Sequence, residues 1–414
     1  MNEWKESEIG RIPHSWIIGT LEDVSQFITD GAHLSPTFVK SDYYMASVKD
    51  MRYNYFDFTD CKTISKEDFE ALERGKCSPE YGDILLSKDG ANCLDLIFIY
   101  KQNKRIVLLS SIAIARLKKE NNPDFYRYYL LSPNIQEIMR NNYVSGSAIP
   151  RVILKDFKNV PVPLLPETEQ TAIASILSSL DDKIDLLHRQ NATLEKMAET
   201  LFRQWFVEEA KEEWEEIKVK DVCLVITKGT TPTTLGRSFK ENGINFIKAE
   251  SLTDVGTFIP EKFAFIDDDT NKLLKRSQIQ EGDVLITIAG TIGRIGYVTK
   301  DILPANTNQA IGIMRVNRKI INPYFLYCLF NSTEIKNDFD GRVVHAVQPN
   351  LSLGAIGDIE FKLPPSEVLD SRMQKIEGLF IKKNKNTTQI RTLTTLRDTL
   401  LPKLMSGEIR VEMS

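Results

Sequence analysis

The chain is poor in the residues from which most catalytic and metal sites are built. It has only four histidines, His14, His33, His188 and His345, and no two stand at a metal-ligand spacing. The five cysteines, Cys61, Cys77, Cys93, Cys223 and Cys328, are scattered with no C-x-x-C pair, which argues against a zinc ribbon and a disulfide framework. No run of about 18 apolar residues occurs, so no membrane span is expected. The opening residues Met1-Asn2-Glu3-Trp4-Lys5-Glu6 are charged and lack the apolar core of a signal peptide, so a reducing cytoplasm is the expected setting. Neither sign of charge dominates. A formal net charge of −4 gives no overall basic footprint, although local basic strips can still meet phosphates. There is no G-x-x-x-x-G-K-[ST] loop, and Gly290-x-x-Gly293-x-x-Gly296 is not a dinucleotide fingerprint but reads as turn glycines. Asp267-Asp268-Asp269 has no second acidic cluster aligned to it and reads as a solvated turn. Glu208-Glu209, Glu212-Glu213 and Glu215-Glu216 read as a charged linker or helix end.

What is present is an internal repeat. The length of 414 residues exceeds one ordinary domain, and 42% hydrophobic with 27% charged residues is an ordinary soluble profile. Trp16-x4-Leu21-x-Asp23-Val24-x3-Ile28-Thr29-x-Gly31 recurs as Trp214-x4-Val219-x-Asp221-Val222-x3-Ile226-Thr227-x-Gly229, an offset of 198 residues. Gly82-Asp83-Ile84-Leu85-Leu86-x3-Gly90 recurs at an offset of 200 as Gly282-Asp283-Val284-Leu285-Ile286-x3-Gly290. Asn122-Pro123-x-Phe125 recurs as Asn322-Pro323-x-Phe325. Pro150 with Val160-x-Val162-x-Leu164 recurs as Pro349 with Ile359-x-Phe361-x-Leu363. Four blocks in one order at nearly one offset make a duplicated domain, too long per copy for a solenoid. Each copy is mixed α/β (α+β). Asp83–Ser87 and Ile112–Ala115 read as short buried strands, and each Asn-Pro as a helix start with Asn at the cap and Pro at the first turn. Asn322-Pro323-Tyr324-Phe325 is similar to the Asn-Pro-Pro-Tyr/Phe motif of amino-methyltransferases but lacks its second proline, and the helix cap explains both copies.

A long helix closes each copy. After Pro166 no proline or glycine occurs before Gly229, and apolar positions step by four and three: Ile173, Leu177, Leu180, Ile184, Leu187, Asn191, Leu194, Ala198, Leu201 and Trp205. That is a coiled-coil seam with one Asn at an a position, where it can fix register, although a surface Asn near a frayed seam fits the pattern too. After Pro364-Pro365 the same seam reads Arg372, Ile376, Leu379, Lys383, Asn386, Ile390, Leu393, Arg397, Leu400 and Leu404. It is more polar in its middle, is weakened by Gly378, and carries Pro402, which should kink or end it early. About 38 residues at 1.5 Å each make a helix of roughly 57 Å. The two helices are expected to pair as an antiparallel coiled coil between two similar globular domains; the alternative is that each packs on its own domain. The expected segments are a first domain 1–163, a central long helix 164–207, a second domain 208–363 and a C-terminal long helix 364–414.

Two diverged modules suit a repeating ligand such as duplex DNA, whose groove returns about every 34 Å. Linkage makes the second contact intramolecular, and reading residues belong on loops of a rigid frame. The loops are Thr29–His33 against Thr227–Thr231, Ser87–Asn92 against Thr287–Thr291, and Ser145–Arg151 against Gly341–Asn350. The candidate DNA contacts on them are Lys88, Asn92, Ser147, Arg151, Lys228, Thr230, Thr231, Thr291, Arg342, Gln348 and Asn350, side chains of the types that reach base edges and phosphates and that also populate any surface turn.

Glu8-Ile9-Gly10-x-Ile12-Pro13-x-x-Trp16, and Val162-Pro163-Leu164-Leu165-Pro166-x-x-Glu169-Gln170 running into a long helix, resemble the specificity subunits of type I restriction–modification enzymes. Leu363-Pro364-Pro365 is similar to the second copy of that signature but continues Ser366-Glu367-Val368-Leu369 where Glu-Gln is expected. The resemblance implies two target-recognition domains, each reading half of an asymmetric bipartite site. The helices would set the spacer and dock two modification (methyltransferase) subunits, and restriction/translocase subunits would join the assembly. It implies no catalytic residue, metal or cofactor in this chain; S-adenosylmethionine, ATP and Mg would be bound by partner subunits. Two rival readings are a stand-alone DNA adenine methyltransferase, which would bind S-adenosylmethionine by itself, and a scaffold that joins proteins without touching DNA.

Overall fold

The computed structural model describes residues 4–146, 150–343 and 350–411. It forms two compact units, Met1–Leu186 with Gln389–Ser414, and Leu187–Thr388, so the boundary falls inside both long helices.

In the first unit a four-stranded antiparallel sheet has the order Ser25–Asp30, Ile112–Leu117, Ile84–Ser87, Ile97–Ile99. The second unit repeats it as Cys223–Lys228, Ile311–Val316, Val284–Thr287, Ile295–Tyr297. The inner strands are buried on both faces, which is why Ile84-Leu85-Leu86 and Val284-Leu285-Ile286 are continuously apolar rather than alternating. Each unit adds a three-stranded sheet with one parallel pair: Tyr44–Ala46 beside Ile106–Leu108, and Ile244–Ile247 beside Ala305–Thr307.

The repeated motifs have local physical causes. The Thr20 amide donates to Asp23 Oδ2 at 2.8 Å, and the Lys218 amide donates to Asp221 Oδ2 at 3.0 Å. Each repeated Asp thus caps a one-turn helix, Leu21–Val24 or Val219–Val222. The repeated glycine that ends each motif is demanded by close approach: a Cβ on Gly31 would lie 2.2 Å from the Leu108 carbonyl oxygen, and one on Gly229 1.9 Å from that of Thr307. Asn122 and Asn322 cap the helices Pro123–Leu131 and Pro323–Asn331, accepting from the amides of Phe125 at 3.2 Å and Tyr324 at 2.9 Å. The Asn-Pro motif is therefore a cap in both copies. Tyr126 and Tyr129 donate their hydroxyls to the Pro163 and Pro161 carbonyls, tying the first of these helices to the closing strand Pro161–Leu164.

The first long helix is Glu167–Arg203, continued by a π turn at Gln204–Glu208; the second is Ser366–Met405. Pro402 does not end the second helix, which runs three residues beyond it. Proline removes only one amide donor from the last turn, and the Pro402 carbonyl still accepts from the Ser406 amide at 3.0 Å. Gln170, which is buried, explains the Glu-Gln of the central signature: it accepts from the Asn122 amide at 2.7 Å and donates to the Leu165 carbonyl at 2.8 Å. Glu169 accepts from the Trp16 indole at 3.3 Å. In the second copy Leu369 occupies the Gln170 position and is buried as an apolar side chain.

Within each unit the long helices pack antiparallel. In the second unit Arg372 donates to the Trp205 carbonyl and to Glu209 at 2.9 Å. Lys383 pairs with Glu195, and Asn386 donates to Asn191 at 3.0 Å. In the first unit Arg397 pairs with Asp181 at 2.8 Å, and Arg410 with Glu169 at 3.8 Å. The polar residues in the second seam are therefore cross-helix partners. Leu177, Leu187, Ile376 and Ile390 are buried, while Leu180, Ile184, Leu194, Leu201, Leu379, Leu393 and Leu400 are partly buried. The seam is wider than its two-position stripe. Ala174, Phe202, Met373 and Phe380 are also buried, because the same helices cover the globular cores: Phe202 and Phe206 pack on Phe325 at ring distances of 5.2 and 5.1 Å.

Candidate nucleic-acid interface

In each unit one end of the four-stranded sheet gathers the loops singled out from the sequence. In the first, Asp30 ends an outer strand opposite Ala113, and Ser87 ends an inner strand opposite Ile112. The chain then returns alongside: the Gly90 amide donates to Pro150 at 3.0 Å, and the Val152 amide to the Lys88 carbonyl at 2.8 Å. Asp89 and Arg151 form an isolated bridge. The second unit repeats this edge, with Lys228 opposite Gly312, the Leu351 amide donating to Ile288 at 2.9 Å, and Ala289 bridged to Asn350. The far end of each sheet is closed by a fork. Arg116 Nε and Nη2 both donate to Asp83 at 2.8 Å. Arg315 does the same to Asp283 at 2.8 and 2.7 Å, and both carboxylates are buried.

The side chains on the two edges differ. Lys88 is only 5% exposed and its ammonium lies 2.8 Å from Asp30, with Asp89 at 4.0 Å. Its place among the DNA contacts is therefore corrected: it is a structural cation already neutralised by a buried carboxylate, and drawing it out would leave Asp30 with only the exposed His33, whose Nε2 lies at 3.2 Å. Ile288 is its counterpart and Lys228 that of Asp30, so the second unit replaces the ion pair by an apolar contact and leaves Lys228 exposed. Arg151 is exposed, with Nε on Asp89 Oδ1 at 3.0 Å. Asn92, Thr291 and Asn350 are exposed. The Thr230 hydroxyl accepts from Arg276 at 3.5 Å and the Thr231 hydroxyl donates to Gln309, so both are partly engaged. Ser147 and Gln348 lie outside the described residues. Arg342 falls in the helix Thr333–Val343, with its side chain outside the described part.

The structure thus brings Lys88, Asn92 and Arg151 to one edge, and Lys228, Thr230, Thr231, Thr291 and Asn350 to its counterpart. Sequence reasoning missed Asp89 as the group that holds Arg151. Its partner is 62 residues away, and no local pattern links them. Asp267 caps the helix Asp268–Leu273, which accounts for the acidic triplet. Among the described residues no group of His, Cys, Asp or Glu could hold a metal ion, and no helix is long and apolar enough to cross a membrane.

The family model of the type I restriction modification DNA specificity domain matches residues 13–196 and again 211–397, so the chain belongs to that family and carries its domain twice. The type I restriction enzyme MjaIX specificity subunit of Methanocaldococcus jannaschii is 26% identical, the match covering 99% of this chain and 97% of the relative. The type I restriction enzyme HindI specificity subunit of Haemophilus influenzae is 20% identical over 99% of this chain and all of its own length. Among solved structures, the S subunit of a type I restriction–modification system from M. genitalium shares the fold, with a TM-score of 0.60 at 17% identity over 97% of each chain.

Proposed function

We propose that this chain is the DNA-reading, non-catalytic subunit of a type I restriction–modification complex, and that each globular copy binds one half of an asymmetric bipartite site. One observation carries this reading: the same backbone edge recurs in both copies while its side chains differ, Asp30 against Lys228, Lys88 against Ile288 and Arg151 against Asn350. Repeated geometry with diverged contents is what reading two unlike half-sites requires. The paired helices set the spacer and dock two modification subunits. Those subunits supply S-adenosylmethionine chemistry, and restriction/translocase subunits supply the ATP- and Mg-dependent steps.

Footprinting of the assembled complex tests this. Two protected patches about one helical turn apart are expected. A single patch, no patch, or S-adenosylmethionine binding by the purified chain alone would overturn it.

A further inference from the structure

We infer that Arg151 and Asn350 are equivalent base-reading positions in the two copies, Arg151 recognising a guanine in one half-site and Asn350 an adenine in the other. The inference rests on the proposed bipartite reading and adds which residues read and what they read.

The equivalence is structural. Arg151 is bridged to Asp89 and Asn350 to Ala289, and the next residue in each copy donates its amide to the matching carbonyl, Val152 to Lys88 and Leu351 to Ile288. Each side chain therefore leaves the same point of the same edge, beside the ends of the two central strands. Both are exposed, Arg151 by 62%.

The chemistry differs in a readable way. Asp89, itself 14% exposed, takes Arg151 Nε at 3.0 Å, and no contact among the described residues engages either Nη. A guanidinium held by Nε presents its two terminal nitrogens as a fixed pair of donors, the complement of guanine O6 and N7. Pairing with Asp89 also offsets the positive charge, which weakens attraction to a phosphate while leaving the directional donors in place. Behind Asp89, Lys88 pairs mainly with Asp30 at 2.8 Å and lies 4.0 Å from Asp89 Oδ1, so Arg151 is the nearer partner of that carboxylate. In the second copy Ala289 has no carboxylate to offer. The short amide of Asn350 carries one acceptor and a pair of donor hydrogens, the complement of adenine N6 and N7, and it carries no charge to seek a phosphate.

The experiment selects duplexes from a randomised library with the complete complex of specificity and modification subunits, wild type against variants, at two salt concentrations. Arg151→Ala is expected to lower discrimination at one guanine by roughly 10- to 100-fold while the other half-site and the spacer keep their preferences. Asn350→Ala is expected to do the same at one adenine of the other half-site. Asp89→Asn, which acts through Arg151, should weaken the guanine preference and steepen the salt dependence as the arginine charge is released. Combined with Arg151→Ala it should add nothing. Thermal unfolding of each variant within a few degrees of wild type shows that these changes leave the fold intact. An unaltered motif in the alanine variants would overturn the inference alone. So would uniform weakening on all sequences with a shallower salt dependence, the signature of phosphate contacts. A wild-type complex that selects no bipartite motif would overturn the broader reading with it.

Discussion

Asn386 donates its side-chain amide to Asn191 Oδ1 at 3.0 Å, and Asn191 in turn donates to the Thr387 hydroxyl at 3.2 Å. Asn386 is 1% exposed and its own Oδ1 finds no partner. The pair therefore costs stability and supplies register, since any slip of one helix past the other would bury both amides against leucine or isoleucine. Replacing both by leucine should stabilise the protein, raising its thermal midpoint by a few degrees. Asn191→Ala alone should cost about 1–3 kcal/mol by leaving the buried Asn386 with only its longer bond to Gln190 Oε1 at 3.4 Å. Thermal and denaturant unfolding measure both, and a double variant less stable than wild type would contradict the assignment.

The two forks at the far ends of the sheets should differ in worth. Asp283→Ala strips Arg315 of its only carboxylate among the described residues and should cost about 3 kcal/mol. Asp83→Ala leaves Arg116 with Glu80 at 2.6 Å and should cost less. Denaturant titration of the two variants gives the order, and equal losses would show that Glu80 contributes nothing.

The spacer reading requires matched changes. An insertion in one long helix alone shifts Glu195 from Lys383 and Asn191 from Asn386. One heptad added to each helix, within Asp181–Glu195 and within Lys383–Arg397, restores the seam and lengthens the pair by about 10 Å. The preferred spacer should then grow by about three base pairs. Library selection reads this out, and an unchanged spacer with retained binding removes the ruler.

Burial pushes all five thiols up, Cys61 and Cys223 to about 12, with Cys77, Cys93 and Cys328 shifted in the same direction. At pH 8 the native protein should label slowly with iodoacetamide at every cysteine, and the unfolded chain quickly at all five. Because the folded state holds protons that the unfolded chain releases near pH 9, stability should fall as pH climbs from about 9 towards 12. Fast native labelling at any one site, followed by mass spectrometry, would contradict the burial of that thiol.

Much of the frame was legible because its causes are local or periodic. Asp23 and Asp221 cap turns three residues away, Asn122 and Asn322 cap their own helices, and the seam from Ile173 to Trp205 follows one period. The candidate edge was legible only as loops. That Lys88 is buried depends on Asp30, 58 residues upstream, and the poise of Arg151 depends on Asp89 across a bridge. Neither partnership leaves a trace in spacing. The polar residues of the second seam looked like defects because their partners, Asp181, Glu195 and Glu209, lie off the apolar stripe of the first helix.

The forks of Arg116 with Asp83 and of Arg315 with Asp283 act as rivets at one rim of each sheet. With strand order secured there, the side chains at the opposite rim can diverge between the copies without altering what folds. An ancestral copy, once doubled, could in this way acquire two vocabularies while retaining one grammar.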